Sequence, residues 1–457
     1  MSAMLKELFP LSFSGTAIIS DDGRSVSYAE LRQMTDAWAA KIPPRSLVFL
    51  LVGNHLESLV SYVGCLNHGI VPLMLSENID AVLLEEMKRK YRPDAVFRNG
   101  ECVERVCGDE PCRGGEVENG RGKLYPELAL LLTTSGSTGS PKLVRQSYRN
   151  IEANRDSIVQ YLKLTASERP ITTLPMNYTY GLSIINSHLA VGATILLTDK
   201  TLMQREFWNF FNEQGATSFG GVPYTYEMLD KLMFFRRKLP SLRTMTQAGG
   251  KILPALHKKF AEWAAKEGKN FVVMYGQAEA TARMSYLPPE RALDKVGSMG
   301  VAIPGGRFEL EDGELVYYGD NVTFGYAECA EDLAKGDERH GKLVTGDMAR
   351  VDEEGFYYIV GRKKRFLKIF GNRVNLDETE RLIKGAFPEI DCACGGVDDK
   401  MKIFIVRLSD CPIDGLRDRI QKFVAEKTHL NFTAFEVVGI DKIPKNESGK
   451  TLYAELK

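Results

Sequence analysis

Residues 128–147 read LALLLTTSGSTGSPKLVRQS. The apolar run Leu128 to Leu132 predicts a buried strand. It leads directly into Thr134-Ser135-Gly136-Ser137-Thr138-Gly139-Ser140-Pro141-Lys142. Glycines let the backbone turn so that successive N–H groups converge, the hydroxyls add donors, and Lys142 supplies positive charge. That is the composition of a cradle for polyphosphate. The common GxxxxGK[ST] loop does not fit, because Gly139 is followed by Ser-Pro-Lys. SGSTG alone would serve equally as a flexible turn; the whole string after a buried strand is more specific.

Outward from this stretch, apolar runs alternate with amphipathic segments. Ser46 to Val52, Val71 to Leu75, Ile171 to Leu174, Thr194 to Leu197, Thr217 to Gly220 and Phe271 to Tyr275 read as strands. Helical patterns fall at Glu57 to Asn67, Ala81 to Lys90, Met203 to Asn212, Thr225 to Phe234 and Pro254 to Lys266. Such alternation predicts an α/β fold of layered sheets and helices, with mainly parallel sheet. Residues 100–123 hold seven glycines or prolines and read as an irregular excursion.

The basic run RKKRFLKIFGNR at 362–373 follows a strand-like Phe356 to Val360 and marks a boundary near Gly361. Residues 1–361 then form a large N-terminal domain. Residues 362–457 form a small α+β lid of about 96 residues, a normal size for one core. In the lid, Leu376 to Gly385 and Leu416 to Lys427 read as helices and Lys402 to Leu408 as a strand.

The 457 residues carry 59 Lys and Arg against 60 Asp and Glu, so no global field favours DNA or an anionic membrane. The lid holds 19 basic and 15 acidic residues, which leaves the body at -5 and the lid at +4. A nucleic-acid patch on 362–373 is disfavoured, since its only aromatics are Phe366 and Phe370. Glycines, asparagines and Pro175 interrupt the uncharged stretch 171–198, so no membrane insertion is expected. Eight cysteines without CxxC pairing or nearby histidines exclude a disulfide framework and a zinc site; Cys102, Cys107 and Cys112 read as loop thiols. With no signal-peptide pattern at the start, the expected compartment is the cytoplasm.

TSGSTGSPK resembles the phosphate-loop signature of the adenylate-forming superfamily of acyl-CoA synthetases, luciferases and peptide-synthetase adenylation domains. Four further stretches resemble its motifs in order, over nearly the whole chain. They are Tyr275-Gly276-Gln277-Ala278-Glu279 (YGxTE), Thr345-Gly346-Asp347 (TGD), the hinge and following loop from Gly361 to Arg373, and Pro444 to Lys450 (PxxxxGK). The resemblance implies ATP-dependent activation of a carboxylic acid to an acyl-adenylate with release of pyrophosphate. Transfer to the thiol of CoA, or to the phosphopantetheine of an acyl carrier protein, follows.

The implied roles are specific. Thr134, Ser135, Gly136, Ser137, Thr138, Gly139 and Lys142 would hold phosphates. Glu279 would hold Mg²⁺ bridging phosphate oxygens, a task suited to a carboxylate at a strand end. Tyr275 and Gly276 would meet adenine, although a strand tyrosine also reads as core. Asp347 would accept the ribose hydroxyls and Arg362 would contact ribose or phosphate. Lys450 would stabilise charge developing on the α-phosphate and carboxylate oxygens. Lys364 stands at the hinge position, and rotation of the lid would present the loop around Lys368 and Gly371 to the thiol. Gly249 and Gly250 resemble the family's adenine and acyl-pocket glycines, while Tyr178, Tyr180, Gly181, Ser183 and Gly221 would line the acid pocket.

Four positions depart from the family pattern. Tyr178 replaces a histidine, Ala278 replaces the threonine of YGxTE, and the final Lys450-Thr451-Leu452 lacks the arginine that often follows the family's lysine. Thr179 falls where amino-acid-activating domains carry an aspartate, which disfavours α-amino acids as substrates. An amino-acid-activating domain and an inactive nucleotide-binding relative are the alternatives.

Overall fold

A computed structural model describes residues 8–105, 122–133, 142–363, 365–407, 415–445 and 451–456. Its organising element is a seven-stranded sheet ordered Tyr326–Ala327, Leu143–Ser147, Leu128–Thr133, Val71–Ser76, Leu47–Val52, Ala95–Arg98, Glu101–Arg105. The inner strand Leu47–Val52 reads LVFLLV and is buried throughout. Strand pleating sends Val48, Leu50 and Val52 to one hydrophobic core and Leu47, Phe49 and Leu51 to another. An unbroken apolar run is what a strand covered on both faces requires. Helices Tyr28–Ala39 and Leu56–Asn67 help form the first core, the former closed by a capping box between Ser27 and Glu30.

The sheets are mixed, which corrects the expectation of mainly parallel sheet. Leu47–Val52 pairs in parallel with both neighbours, and Val71–Ser76 with Leu128–Thr133. The outer pairs, however, are antiparallel. A second sheet repeats the theme. Ser218–Gly221, Thr244–Gln247 and Asn270–Tyr275 run in parallel, then Ser285–Tyr286 and Val301–Ala302 turn back. A third, Gly306–Glu311, Glu314–Gly319, Lys342–Val351 and Tyr357–Arg362, is wholly antiparallel. Ile171 to Leu174 is not a strand: only single bridges, Pro170 to Ser218 and Ile171 to Leu196, form there. Part of the supposed excursion after Gly100 is an edge strand, Glu101–Arg105. The helix expected over Thr225 to Phe234 spans Pro223–Lys231, starting on its proline, and breaks before Met233, whose φ is +53°.

The last strand of the third sheet ends at Arg362, one residue past the expected boundary. It carries a β-bulge. Ala349 faces Ile359, yet Met348 faces Gly361 and Asp347 faces Arg362, so Val360 is the extra residue. Beyond it, the hairpin Phe366–Ile369 and Asn372–Asn375 leads into helix Leu376–Ala386. The sheet Ile390–Val397, Lys400–Arg407, Phe435–Gly439 and helix Leu416–Thr428 follow. Their apolar side chains, from Leu367 to Phe435, make a core separate from those of the large body. Cys392 and Cys394 are buried in it, as packing residues should be.

Candidate functional site

The strand Leu128–Thr133 pairs antiparallel with Leu143–Ser147. Thr134, Ser135, Gly136, Ser137, Thr138 and Gly139 lie outside the described residues, as do Lys364 and Lys450. Lys142 is described: its ammonium pairs with Glu328 and lies 5.8 Å from the centre of the Tyr326 ring. Tyr326 stands beside it because Tyr326–Ala327 adds to the same sheet edge, opposite Val144. The Tyr326 hydroxyl donates to Glu279 Oε1 at 2.6 Å, and the Arg339 guanidinium lies 4.7 Å from the same ring. Lys142 and Glu279, far apart in sequence, thus meet around one tyrosine.

Glu279 occupies a short 3-10 turn, Ala278–Ala280, just after the strand Asn270–Tyr275. Its main-chain oxygen accepts from Thr323 N at 3.0 Å, from Thr323 Oγ1 at 3.0 Å and from Arg339 Nη1 at 3.3 Å. The turn folds back so tightly that a Cβ on Gly276 would lie 1.6 Å from the carbonyl oxygen of Ala282. Only glycine fits there. Among the described residues no three metal-ligating side chains cluster, around Glu279 or elsewhere. That suits Mg²⁺, which takes one or two protein carboxylates and fills its shell with waters and substrate phosphates.

At the other end of the strand–turn unit, Tyr275, Gln277 and Asp347 interlock. The Tyr275 hydroxyl donates to Asp347 Oδ2 at 2.5 Å, and Gln277 Nε2 donates to the same oxygen at 2.9 Å. Arg362 Nε lies 3.7 Å from Asp347 Oδ1, the consequence of their cross-strand pairing. Burial pushes the Asp347 carboxyl above the usual carboxylate range, against the opposing pull of Tyr275, Arg362 and Gln277. Burial, then the Asp347 charge, pushes the Tyr275 phenol up. Tyr275 therefore presents its ring while its hydroxyl is committed to the carboxylate.

The pocket candidates divide. Gly249 has φ +81°, and a Cβ on it would come 2.5 Å from the Tyr178 hydroxyl. Gly250 lies against Pro223, and Gly221 against Thr225 and Tyr226. Tyr178 and Tyr180 meet edge to face at 6.3 Å, and the Tyr180 hydroxyl is hydrogen-bonded to Thr246 Oγ1 at 2.7 Å. Gly181 packs under the Pro175 carbonyl inside helix Thr179–Leu189, away from Gly249. Next to the glycine pair, Lys251 donates to the Ile359 carbonyl at 2.6 Å. Burial, with Arg381 and Arg350 nearby, pushes its ammonium down to about 8.

Three cations of the basic run, Arg362, Lys363 and Arg365, pair with carboxylates of the protein. Lys363 donates to Glu314 at 2.6 Å, and Arg365 pairs with Asp377 at 2.6 Å and Glu380 at 2.5 Å beneath the Tyr453 ring. Lys368 is exposed on a hairpin strand, and Gly371, with φ +81°, makes that hairpin's turn. Near the C-terminus, Lys445 forms an isolated antiparallel bridge with Thr451. Its ammonium pairs with Asp391 at 2.9 Å and lies 5.3 Å from the Tyr224 ring on helix Pro223–Lys231. The two domains thus touch beside Gly250. Gln277, Tyr326, Arg339 and Lys251 had no assigned role in the sequence, although Gln277 sits inside a motif already quoted. Nothing local marks Tyr326.

Residues 13–327 match the family described as AMP-binding enzyme. The chain is 23% identical to the 2-succinylbenzoate–CoA ligase of Bacillus licheniformis over 432 residues, covering 89% of this chain and 88% of the relative. It is 26% identical to the feruloyl-CoA synthase of an Amycolatopsis species over 480 residues, covering 95% and 94%. Among solved structures, the O-succinylbenzoate coenzyme A synthetase of Bacillus subtilis in complex with AMP superposes with a TM-score of 0.79 at 21% identity. The match covers 97% of this chain and 95% of that one. An anthranilate CoA ligase in complex with anthranoyl-AMP gives 0.77 at 20% identity, covering 98% and 94%.

Proposed function

The chain belongs to the AMP-binding enzyme family, and on that premise we propose that it is an acid–thiol ligase. A carboxylate oxygen attacks the α-phosphorus of ATP, the bond to pyrophosphate breaks, and an acyl-adenylate forms. A thiol then attacks the acyl carbon, and AMP leaves with the bonding electrons. The observation that carries this reading is the strand–turn unit 270–283. It joins a nucleoside-facing group (Tyr275, Gln277, Asp347, Arg362) to a phosphate-facing group (Glu279, Tyr326, Lys142) within one short stretch.

Each group has work to do. Asp347 accepts the ribose hydroxyls, and Arg362 balances its charge. The Tyr275 ring offers a flat face to adenine. Lys142 neutralises phosphate charge as the anionic carboxylate approaches an anionic nucleotide. Glu279 would hold Mg²⁺, which supplies charge neutralisation at the phosphate oxygens when bound. Its hydrogen bond from Tyr326 aims one oxygen and leaves the other for the cation. Lys450 stabilises the developing charge during adenylation. We place the domain boundary just after Arg362, with Lys364 as the hinge and the hairpin of Lys368 and Gly371 serving the thiol step. CoA is the favoured acceptor, because the named relatives are CoA ligases; an acyl carrier protein is the alternative.

Carboxylate-dependent ATP–pyrophosphate exchange tests this. Exchange with at least one class among short, long and aromatic acids is expected. ATP binding without exchange for any class would overturn it.

A further inference from the structure

Arg283 is a buried guanidinium, 2% exposed, four residues beyond Glu279. Its Nε donates to Ser183 Oγ at 3.2 Å and its Nη1 to Tyr161 Oη at 3.0 Å. The Met274 sulfur lies 3.2 Å from Nη1, and the Tyr180 ring centre 5.1 Å from Cζ. All four neighbours are neutral. Among the described residues no carboxylate pairs with Arg283, and its Nη2 donates no hydrogen bond. Arg145, the other fully buried guanidinium among the described residues, behaves differently: it engages Glu338 and four main-chain carbonyls. A buried cation without a counter-charge is costly, so it persists where a function needs it.

Its position gives the function. The Tyr180 ring that covers Arg283 touches Tyr178, and the Tyr178 hydroxyl faces Gly249, so one continuous wall joins the guanidinium to the glycine pair. Met274, on the other side, precedes Tyr275. Ser183 also lines a small cavity of about 10 Å³ together with Asn154, Thr179 and Thr281. Asn154 Oδ1 and Gln146 Nε2, both buried at that cavity, have no hydrogen-bond partner. The wall around Arg283 therefore offers a positive charge and unpaired polar groups beside the apolar Leu132, Ile151, Ile158 and Leu182.

We propose, resting on the acid-activating reading, that Arg283 determines specificity by receiving a hydrogen-bond-accepting oxygen at the far end of the acid. A second carboxylate and a phenolic oxygen share that chemistry. Plain alkyl and aryl acids would leave the guanidinium desolvated and unpaired, and such sites reject analogues that lack the polar group.

Exchange kinetics with size-matched pairs test this: glutarate against valerate, and 4-hydroxybenzoate against benzoate. In the unmodified enzyme the oxygen-bearing member of at least one pair should lead by tenfold or more in kcat/KM, and the responding pair tells carboxylate from phenol. Arg283→Met should erase that lead or reverse it, while Arg283→Lys should keep part of it. Equal rates within both pairs would overturn the proposal, as would a lead that survives Arg283→Met. The unmodified enzyme's comparison stands even if Arg283→Met fails to fold. Silence toward every acid while ATP still binds would instead sink the acid-activating reading, and the proposal with it.

Discussion

Gly276→Ala is the sharpest test of the strand–turn unit. A Cβ at residue 276 would sit 1.6 Å from the Ala282 carbonyl oxygen, with Ala282 C at 2.6 Å and Arg283 Cα at 2.8 Å. All three are backbone atoms, so no side chain can swing aside. Restoring even 3.0 Å requires the 276–283 turn to open by at least 1.4 Å. Glu279 and Arg283 both ride on that turn. Misplacement of reacting groups by about 1 Å costs roughly 10²-fold in rate, so exchange activity should fall by about 10² or more. Overpacking of this kind costs about 1–3 kcal/mol, which corresponds to a melting temperature lower by several degrees. The control is Gly385→Ala, on an exposed helix position with no atom within 4 Å of the added Cβ. It should keep full activity and gain up to about 1 kcal/mol. Pyrophosphate exchange and thermal melts read both variants. Gly276→Ala activity within threefold of the unmodified enzyme, at unchanged melting temperature, would refute the reasoning.

Asp347→Asn should weaken ATP binding about tenfold or more, the worth of a charge-assisted hydrogen bond of about 1.5–3 kcal/mol, read by calorimetry. The same change should raise stability at neutral pH. Burial raises the Asp347 pKa, so its favourable contribution is complete below the ordinary carboxylate range and lost as pH rises through the elevated value. Denaturant melts from pH 4 to 8 should show the variant gaining on the unmodified protein as pH rises; a constant difference would contradict this. Tyr326→Phe keeps the ring beneath Lys142 and Arg339 but frees Glu279, and should raise the Mg²⁺ concentration needed for half-maximal exchange severalfold. Arg365→Met leaves Asp377 and Glu380 without their cation and should destabilise the small domain by about 3–5 kcal/mol, seen as an earlier unfolding step in calorimetry.

What could be read in advance follows a physical line. The run Leu47–Val52 and the helix that begins on Pro254 declare themselves locally, because burial pattern and capping chemistry are written in adjacent residues. Ile171 to Leu174 looks like a strand on the same grounds, yet it finds no continuous partner edge, and pairing is a non-local property. The antiparallel outer strands escaped notice for the same reason. Within the site, Asp347, Glu279, Tyr275 and Arg362 were nameable because they belong to motifs. Tyr326 and Arg339 were not, since they reach Glu279 through tertiary packing alone. Arg283 belongs to no quoted motif, and its burial to 2% exposure is a product of tertiary packing.

The bulge at Val360 decides which residue stands opposite Asp347. Were Val360 to take a regular place in the ladder, opposite Met348, Gly361 would stand opposite Asp347 and Arg362 would fall opposite Gly346. The same extra residue offers its carbonyl to Asn375 Nδ2 at 2.6 Å, and Asn375 caps the small domain's first helix. The bulge thus keeps Arg362 in step with Asp347 and ties the end of the third sheet to helix Leu376–Ala386. A single-codon deletion of Val360 would leave the Asp347–Arg362 pairing in step and take away the carbonyl that Asn375 holds.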